Sequence, residues 1–252
     1  MKYFYRNVSF LLVILLLAFF LLGAGQKPME PVNYWKKKVL DAYGGAEKIT
    51  GISTLVFSGK IATRGDSGTV TLTLSRPGKL RSTMKYTERC EDRILLEKKG
   101  FRDFGNGFQE AGGNSLDAMI FQYNHLDLPM ELLDKKLAIS YDEVKAGVQN
   151  MPVLKLLAED EPPMAAVIDP ETGLIIQVVG KIRMGKNDVQ MGVGYGDYRK
   201  VDGVMLPYRI INFVNGVAIA ESRYDTVQVN SRLAPETFDI SASSCRVSAS
   251  GN

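Results

Sequence analysis

The stretch Gly194–Gly216, GYGDYRKVDGVMLPYRIINFVNG, constrains this chain more than any other. It reads as a strand ending near Lys200, a tight turn at Val201-Asp202-Gly203 and a second strand from Met205 to Val214. Asp-Gly between two β-rich runs signals a hairpin, because glycine tolerates the positive φ that the turn requires. Pro207 lies inside the second run and cannot donate to a ladder, which points to an edge strand, a bulge or a strand start. Asn215-Gly216 is another turn dipeptide, and a third strand follows from Val217 to Val229. The C-terminal half is therefore expected to be an antiparallel meander. No residue in it has an evident chemical task, so it suggests a surface or container before a catalyst.

The same pattern runs through the first half. Leu55, Phe57 and Ile61 alternate with Ser58 and Lys60, and Val70, Leu72 and Leu74 alternate with threonines and Ser75. Leu80, Ser82, Met84 and Tyr86 face one side of a further strand, followed by runs at Ile94–Lys98 and Phe101–Phe104. Period-two alternation with regular turns predicts a large antiparallel sheet of about ten strands, covered on one face. A helix is expected from about Asn33 through Trp35 and Leu40 to Tyr43, stopped by Gly44-Gly45. Trp35 reads as its packing anchor. The alternation breaks at Ser115, which is expected to cap a helix carrying Leu116, Met119, Ile120 and Tyr123 on one face, with Pro129 opening a second short helix. Strands resume at Leu137–Tyr141, Val153–Leu157, Met164–Ile168 and Leu174–Ile182.

Residues 1–25 read as a targeting segment: Lys2 and Arg6, an apolar run from Phe10 to Leu22, then Gly23-Ala24-Gly25. The short apolar region and small-residue exit favour cleavage and export to the periplasm. The rival is an inner-membrane anchor facing the periplasm, since Val8 to Ala24 is at the short limit of about 17 residues that can span a bilayer. Residues 26–240 are expected to form one domain and residues 241–252, rich in Ser and Gly, a flexible tail. Losing residues 1–25 removes Lys2 and Arg6, leaving 29 Lys+Arg against 28 Asp+Glu, a net charge of +1. That balance gives no support for nucleic-acid binding. The two cysteines, Cys90 and Cys245, would meet an oxidising compartment; they either pair, tying the tail to the sheet, or stay apart as thiols.

Catalytic motifs do not hold up. Gly65-Asp66-Ser67-Gly68 matches a serine-protease nucleophile, but the only histidine, His125, lies downstream, so four turn-forming residues are the better reading. One histidine and two distant cysteines build no metal site, and no cofactor is implied. His125 is expected at a helix end or in a loop. Gly192, Gly194 and Gly196 lack a following helix and mark a place where the backbone bends or something packs closely. Glu88, Glu91 and Asp92 are expected to pair with Arg89 and Arg93 on the sheet rim. No enzyme is expected.

Several segments together resemble a known family: GGAEKI, ITGISTLVFSGKI, TVTLTLSRPGKLRSTMKY, VIDPETGLIIQVVGKI, the hairpin above, and VQVNSRLAPETFDI. The chain resembles the outer-membrane lipoprotein-sorting (LolA-like) superfamily from about Trp35 to Ile240. The resemblance implies an α+β fold, mostly β: a curved antiparallel sheet forming a half-open β-barrel whose apolar concave face is covered by short helices. It also implies an acyl chain of a lipid or acylated lipoprotein as ligand. On that reading Phe57, Leu72, Met84, Leu96, Val178, Met191 and Ile210 face the cavity, and Leu116, Met119, Ile120 and Tyr123 lie over it as a lid. The alternative is an envelope module with a dry core that binds a protein partner. The lid-holding arginine of the carriers has no identifiable counterpart here.

Overall fold

The computed structural model describes residues 30–158, 161–184 and 187–245. The expected leader, 1–25, and residues 246–252 of the expected tail lie outside them. Helix α1, Pro31–Ala42, has Pro31 in its first turn, where a missing N–H costs nothing. A short helix α2 follows at Ala46–Thr50. Six strands come next: β1 Thr54–Thr63, β2 Ser67–Ser75, β3 Lys79–Tyr86, β4 Cys90–Leu96, β5 Lys99–Asp103 and β6 Gln109–Ala111. Helix α3 spans Asn114–Glu131. Seven strands complete the sheet: β7 Ala138–Ala146, β8 Gln149–Leu157, β9 Met164–Ile168, β10 Ile175–Met184, β11 Asn187–Val201, β12 Val204–Val214 and β13 Val217–Val229.

All thirteen strands form one antiparallel sheet, in the order β6-β5-β4-β3-β2-β1-β13-β12-β11-β10-β9-β8-β7. The first strand pairs with the last, Phe57 opposite Val227 and Ile61 opposite Ser222. The free edges, β6 and β7, are consecutive in the chain, and α3 is the connection between them. The sheet is curved but not closed, a half-open barrel, and one helix runs from edge to edge over its concave face. Eighteen residues at about 1.5 Å each give a strap of about 27 Å. Strand β6, only three residues long, adds to the expected runs, and β7 and β8 extend beyond their expected bounds through 142–152. That extension is an exposed, charged edge hairpin, and charge is how an edge strand avoids pairing with other chains.

The defining hairpin is present with its turn at Asp202-Gly203, both at positive φ. Pro207 does not mark an edge. It lies in β12, an interior strand, opposite Tyr198, and the adjacent Asp197 leaves the ladder in a left-handed conformation. The hairpin also receives α1: Met205 N–H donates to the Tyr43 carbonyl and the Tyr43 and Tyr198 hydroxyls lie 2.8 Å apart. Trp35 is partly buried against the core. The close approach expected at the three glycines is made by Phe213 at two of them, where a Cβ on Gly194 would meet its ring at 3.3 Å and one on Gly192 its Cβ at 3.4 Å; at Gly196 the nearest atom is Arg209 Cδ at 3.9 Å.

On the convex face the C-terminal segment is fastened down. Cys90 and Cys245 form a disulfide, their Cα atoms 5.4 Å apart. Asp92 is fully buried and takes both Nε and Nη2 of Arg81. It also accepts from Thr83 and from the Ser244 N–H, while Arg81 donates to the Thr237 and Ala242 carbonyls. Asp92 is thus no rim residue paired with Arg89 or Arg93: alternation turns it to the opposite face from Glu91. A buried, fully bonded carboxylate of this kind is far more costly to disturb than a surface pair.

Candidate functional site

Helix α3 is one element, not two. Pro129 removes the N–H that would bond the His125 carbonyl four residues earlier, and the expected break would follow from that loss. The Tyr195 hydroxyl, from β11, replaces the missing donor at 3.1 Å and lies 3.0 Å from His125 Nδ1. Ser115 is not the cap; Gly113 precedes the helix, and the Ser115 hydroxyl accepts from Arg102. His125 is buried inside the helix rather than at its end, and burial pushes its imidazole down to about 3, so it is neutral.

Glycines in the sheet let the strap sit low. A Cβ on Gly100 of β5 would fall 3.0 Å from Leu116 and 3.1 Å from the Met119 sulfur. A Cβ on Gly180 of β10 would fall 2.7 Å from the Phe121 ring. The outer side of the helix is held by the β2–β3 turn. Tyr123 accepts from the Gly78 N–H, and Arg76 Nε lies 2.9 Å from Asp127. Burial pushes the Asp127 carboxyl up to about 6, against the pull of Arg76. Glu131 is pushed up to about 8 by burial and then by Asp127 and Glu161.

Under the strap the concave face divides. Beneath the C-terminal turns, Tyr43, Phe57, Tyr195, Tyr198 and Leu206 close around a gap of only about 30 Å³. Tyr198 donates to the Ile175 carbonyl, and burial raises the hydroxyls of Tyr43, Tyr195 and Tyr198 well above the usual phenol range. Toward the β1–β2 and β12–β13 hairpins lies an open cavity of about 800 Å³. Its walls carry Ile61, Val70, Leu72, Met84, Met191, Ile210 and Tyr224, and its roof is Ala118, Phe121, Gln122, His125 and Leu126 of α3. Ser82 and Ser222 are buried polar points in the wall, and the side-chain Oε1 of the roof residue Gln122 is buried without a hydrogen-bond partner among the described residues. The mouth combines an exposed apolar lip, Val217 and Ile219, with charged residues Arg64, Asp66, Arg89, Glu91 and Arg93. Glu91 is bonded by both Arg93 and Arg102; burial alone would raise its carboxyl, but the two guanidiniums outweigh it and hold it low.

The residues singled out from sequence separate accordingly. Leu72, Met84, Met191 and Ile210 line the large cavity, and Phe57 lines the small gap. Val178 is fully buried in the core cluster. Leu96 shares its strand parity with Asp92 and Ile94 and so belongs to the convex side. Among the described residues, the large cavity's lining does not include Leu116, Met119, Ile120 or Tyr123; Met119 and Leu116 sit against Gly100, and Tyr123 against the β2–β3 turn. The helical face over the cavity is the neighbouring one, with small and polar residues that an apolar pattern does not select. The mouth arginines were likewise missed as a group, because only strand register brings 64, 89 and 93 together.

No family model matches the chain, and neither does any curated protein. Solved structures do. A domain from Vibrio parahaemolyticus described as an outer membrane lipoprotein-sorting protein aligns with a TM-score of 0.51 at 9% identity, over 81% of this chain and 97% of that one. A LolA superfamily protein from Nitrosomonas europaea aligns at 0.49 and 13% identity, over 81% and 96%. A DUF1329 family protein from Desulfovibrio piger aligns at 0.48 and 9%, over 84% and 99%. At such identities the likeness is one of fold, and the match to the Vibrio parahaemolyticus domain shows that this chain shares its fold. Among the described residues, no helix is long and apolar enough to cross a membrane.

Proposed function

We propose that this protein is an exported envelope protein that holds an acyl chain, of a lipid or a lipoprotein, in the cavity beneath α3. The observation that carries the reading is the cavity itself. Its volume, about 800 Å³, falls within the range of about 300–1,000 Å³ usual for small-molecule sites. Its walls are mostly aliphatic, with a few buried polar points, and its mouth has an apolar lip over which a chain can enter. The leader-like residues 1–25 support export to the periplasm. Leu72, Met84, Met191 and Ile210 contact the chain, and Phe121 and Leu126 cover it.

Native mass spectrometry of the protein purified without detergent tests this. The expected result is a mass increment that organic extraction releases as an acyl lipid. A bare polypeptide mass, together with no uptake of added fatty acid, overturns the reading and favours an envelope interaction module.

A further inference from the structure

We infer that the cavity selects an amphiphile with an anionic headgroup, a carboxylate or phosphate, held at the mouth by Arg64 and Arg89 with Arg93 behind them. This rests on the proposed function above and adds the headgroup class. The mouth is charged unequally. Of the lining residues, Arg64, Arg89 and Arg93 are three guanidiniums against two carboxylates, Asp66 and Glu91, which leaves one positive charge in excess, and Arg102, outside the lining, also neutralises Glu91. Both carboxylates are engaged. Glu91 takes Nε and Nη2 of Arg93 and Nε of Arg102. Asp66 accepts from the Thr87 N–H and lies 3.6 Å from Arg89.

Two of the cations have capacity to spare. Arg64, exposed in the β1–β2 turn, has no ion-pair partner among the described residues. Among the described residues Arg89 has only the long ion-pair contact to Asp66, and its guanidinium carbon lies over the Tyr86 ring, 4.2 Å from the centroid, which holds it at the opening. Tyr86, Arg89 and Arg64 all border the same cavity whose walls are Ile61, Val70 and Met84. A chain lying along those walls therefore brings its head to the guanidiniums. Arginine suits this task because its planar fork takes two oxygens of a carboxylate or phosphate at once. The amide and ester groups of an acylated cysteine bring no charge to that position.

Titration calorimetry with chain-matched probes tests this: dodecanoate, dodecyl phosphate, dodecanol and dodecyltrimethylammonium, each below its micelle threshold. The two anions are expected to bind roughly tenfold more tightly than dodecanol, the size of one charge-assisted contact at a partly screened site. The cation is expected to bind weakest, and high salt to narrow the spread. In an Arg64→Ser/Arg89→Ser double variant the anion-to-alcohol ratio falls to near one, whereas Arg64→Lys/Arg89→Lys keeps most of it. Equal binding of dodecanoate and dodecanol overturns the headgroup inference and leaves the chain-binding reading standing, as does a ratio that survives the double serine variant. Failure of all four probes to bind overturns both.

Discussion

The two ends of the concave face are built from the same sheet and roofed by the same helix, yet one is packed and the other is empty. Under the C-terminal turns of α3, aromatic residues from β1 and β11, with Tyr43 at the end of α1, leave about 30 Å³; toward the hairpin tips about 800 Å³ remains. The difference lies in side-chain size and in the neighbours each end recruits. The packed end receives α1 and α2 as an extra layer, with Tyr43 and Ile49 filling the trough. At the open end Ala118 and Gln122 share the roof with Phe121, His125 and Leu126, the wall includes the small residues Ala218, Ala220, Ser82 and Ser222, and among the described residues no further helix is laid over it. A half-open barrel is thus stabilised at one end and kept available at the other.

The largest test of that contrast is Phe57→Ala. Phe57 is buried at the packed end against Tyr224, and truncation is expected to cost about 3–5 kcal/mol, as for other core aromatics. Urea unfolding measures it. Tyr195→Phe comes next. It leaves the His125 carbonyl without the donor that Pro129 fails to provide, an expected loss of about 1–3 kcal/mol for a buried unpaired acceptor. A loss near zero would mean that the strap is not held at this point.

Stability should also depend on pH through the strap. Glu131, at about 8 when folded, stabilises fully below its ordinary carboxylate value, and that contribution is lost as pH rises through 8; Asp127, at about 6, behaves alike at lower pH. His125, at about 3, acts in the other direction. Its contribution is complete above the ordinary imidazole value near 6.5 and is lost as pH falls toward 3. Stability should therefore decline between pH 6.5 and 8, where of these three groups only Glu131 still titrates, and level off above that; Glu131→Gln should flatten that decline while keeping the acid limb. An unchanged alkaline slope in the variant would contradict the assignment. The smallest stability effect is expected for Met191→Ala at the open end. The side chain is only partly buried and already borders a void, so the cost should stay under about 1 kcal/mol while fatty-acid uptake weakens.

Much of this architecture is legible in the sequence. Alternation and turn dipeptides locate the hairpin and the full span of β13, because both signals are local. What is not legible depends on partners distant in the chain. Pro129 reads as a boundary because nothing near it shows that Tyr195 will supply a donor. Leu116, Met119, Ile120 and Tyr123 fall outside the large cavity's lining because α3 is buried on more than one side, against Gly100, against the β2–β3 turn and over the cavity. An apolar pattern then selects the best-packed face, not the one that borders empty space. Cys90 and Cys245, separated by 155 residues, could not be paired from spacing, and the Arg81–Asp92 clamp that brings the tail alongside carries no local signature.

Whether the open end receives a chain is decided by calorimetric titration of dodecanoate into the wild-type protein and an Ala118→Trp variant. Ala118 faces the cavity from the roof, so an indole there occupies the space in question. Saturable one-to-one binding to the wild type and its loss in the variant are expected. Equal binding by both proteins, or no binding by the wild type, would contradict chain binding at the open end.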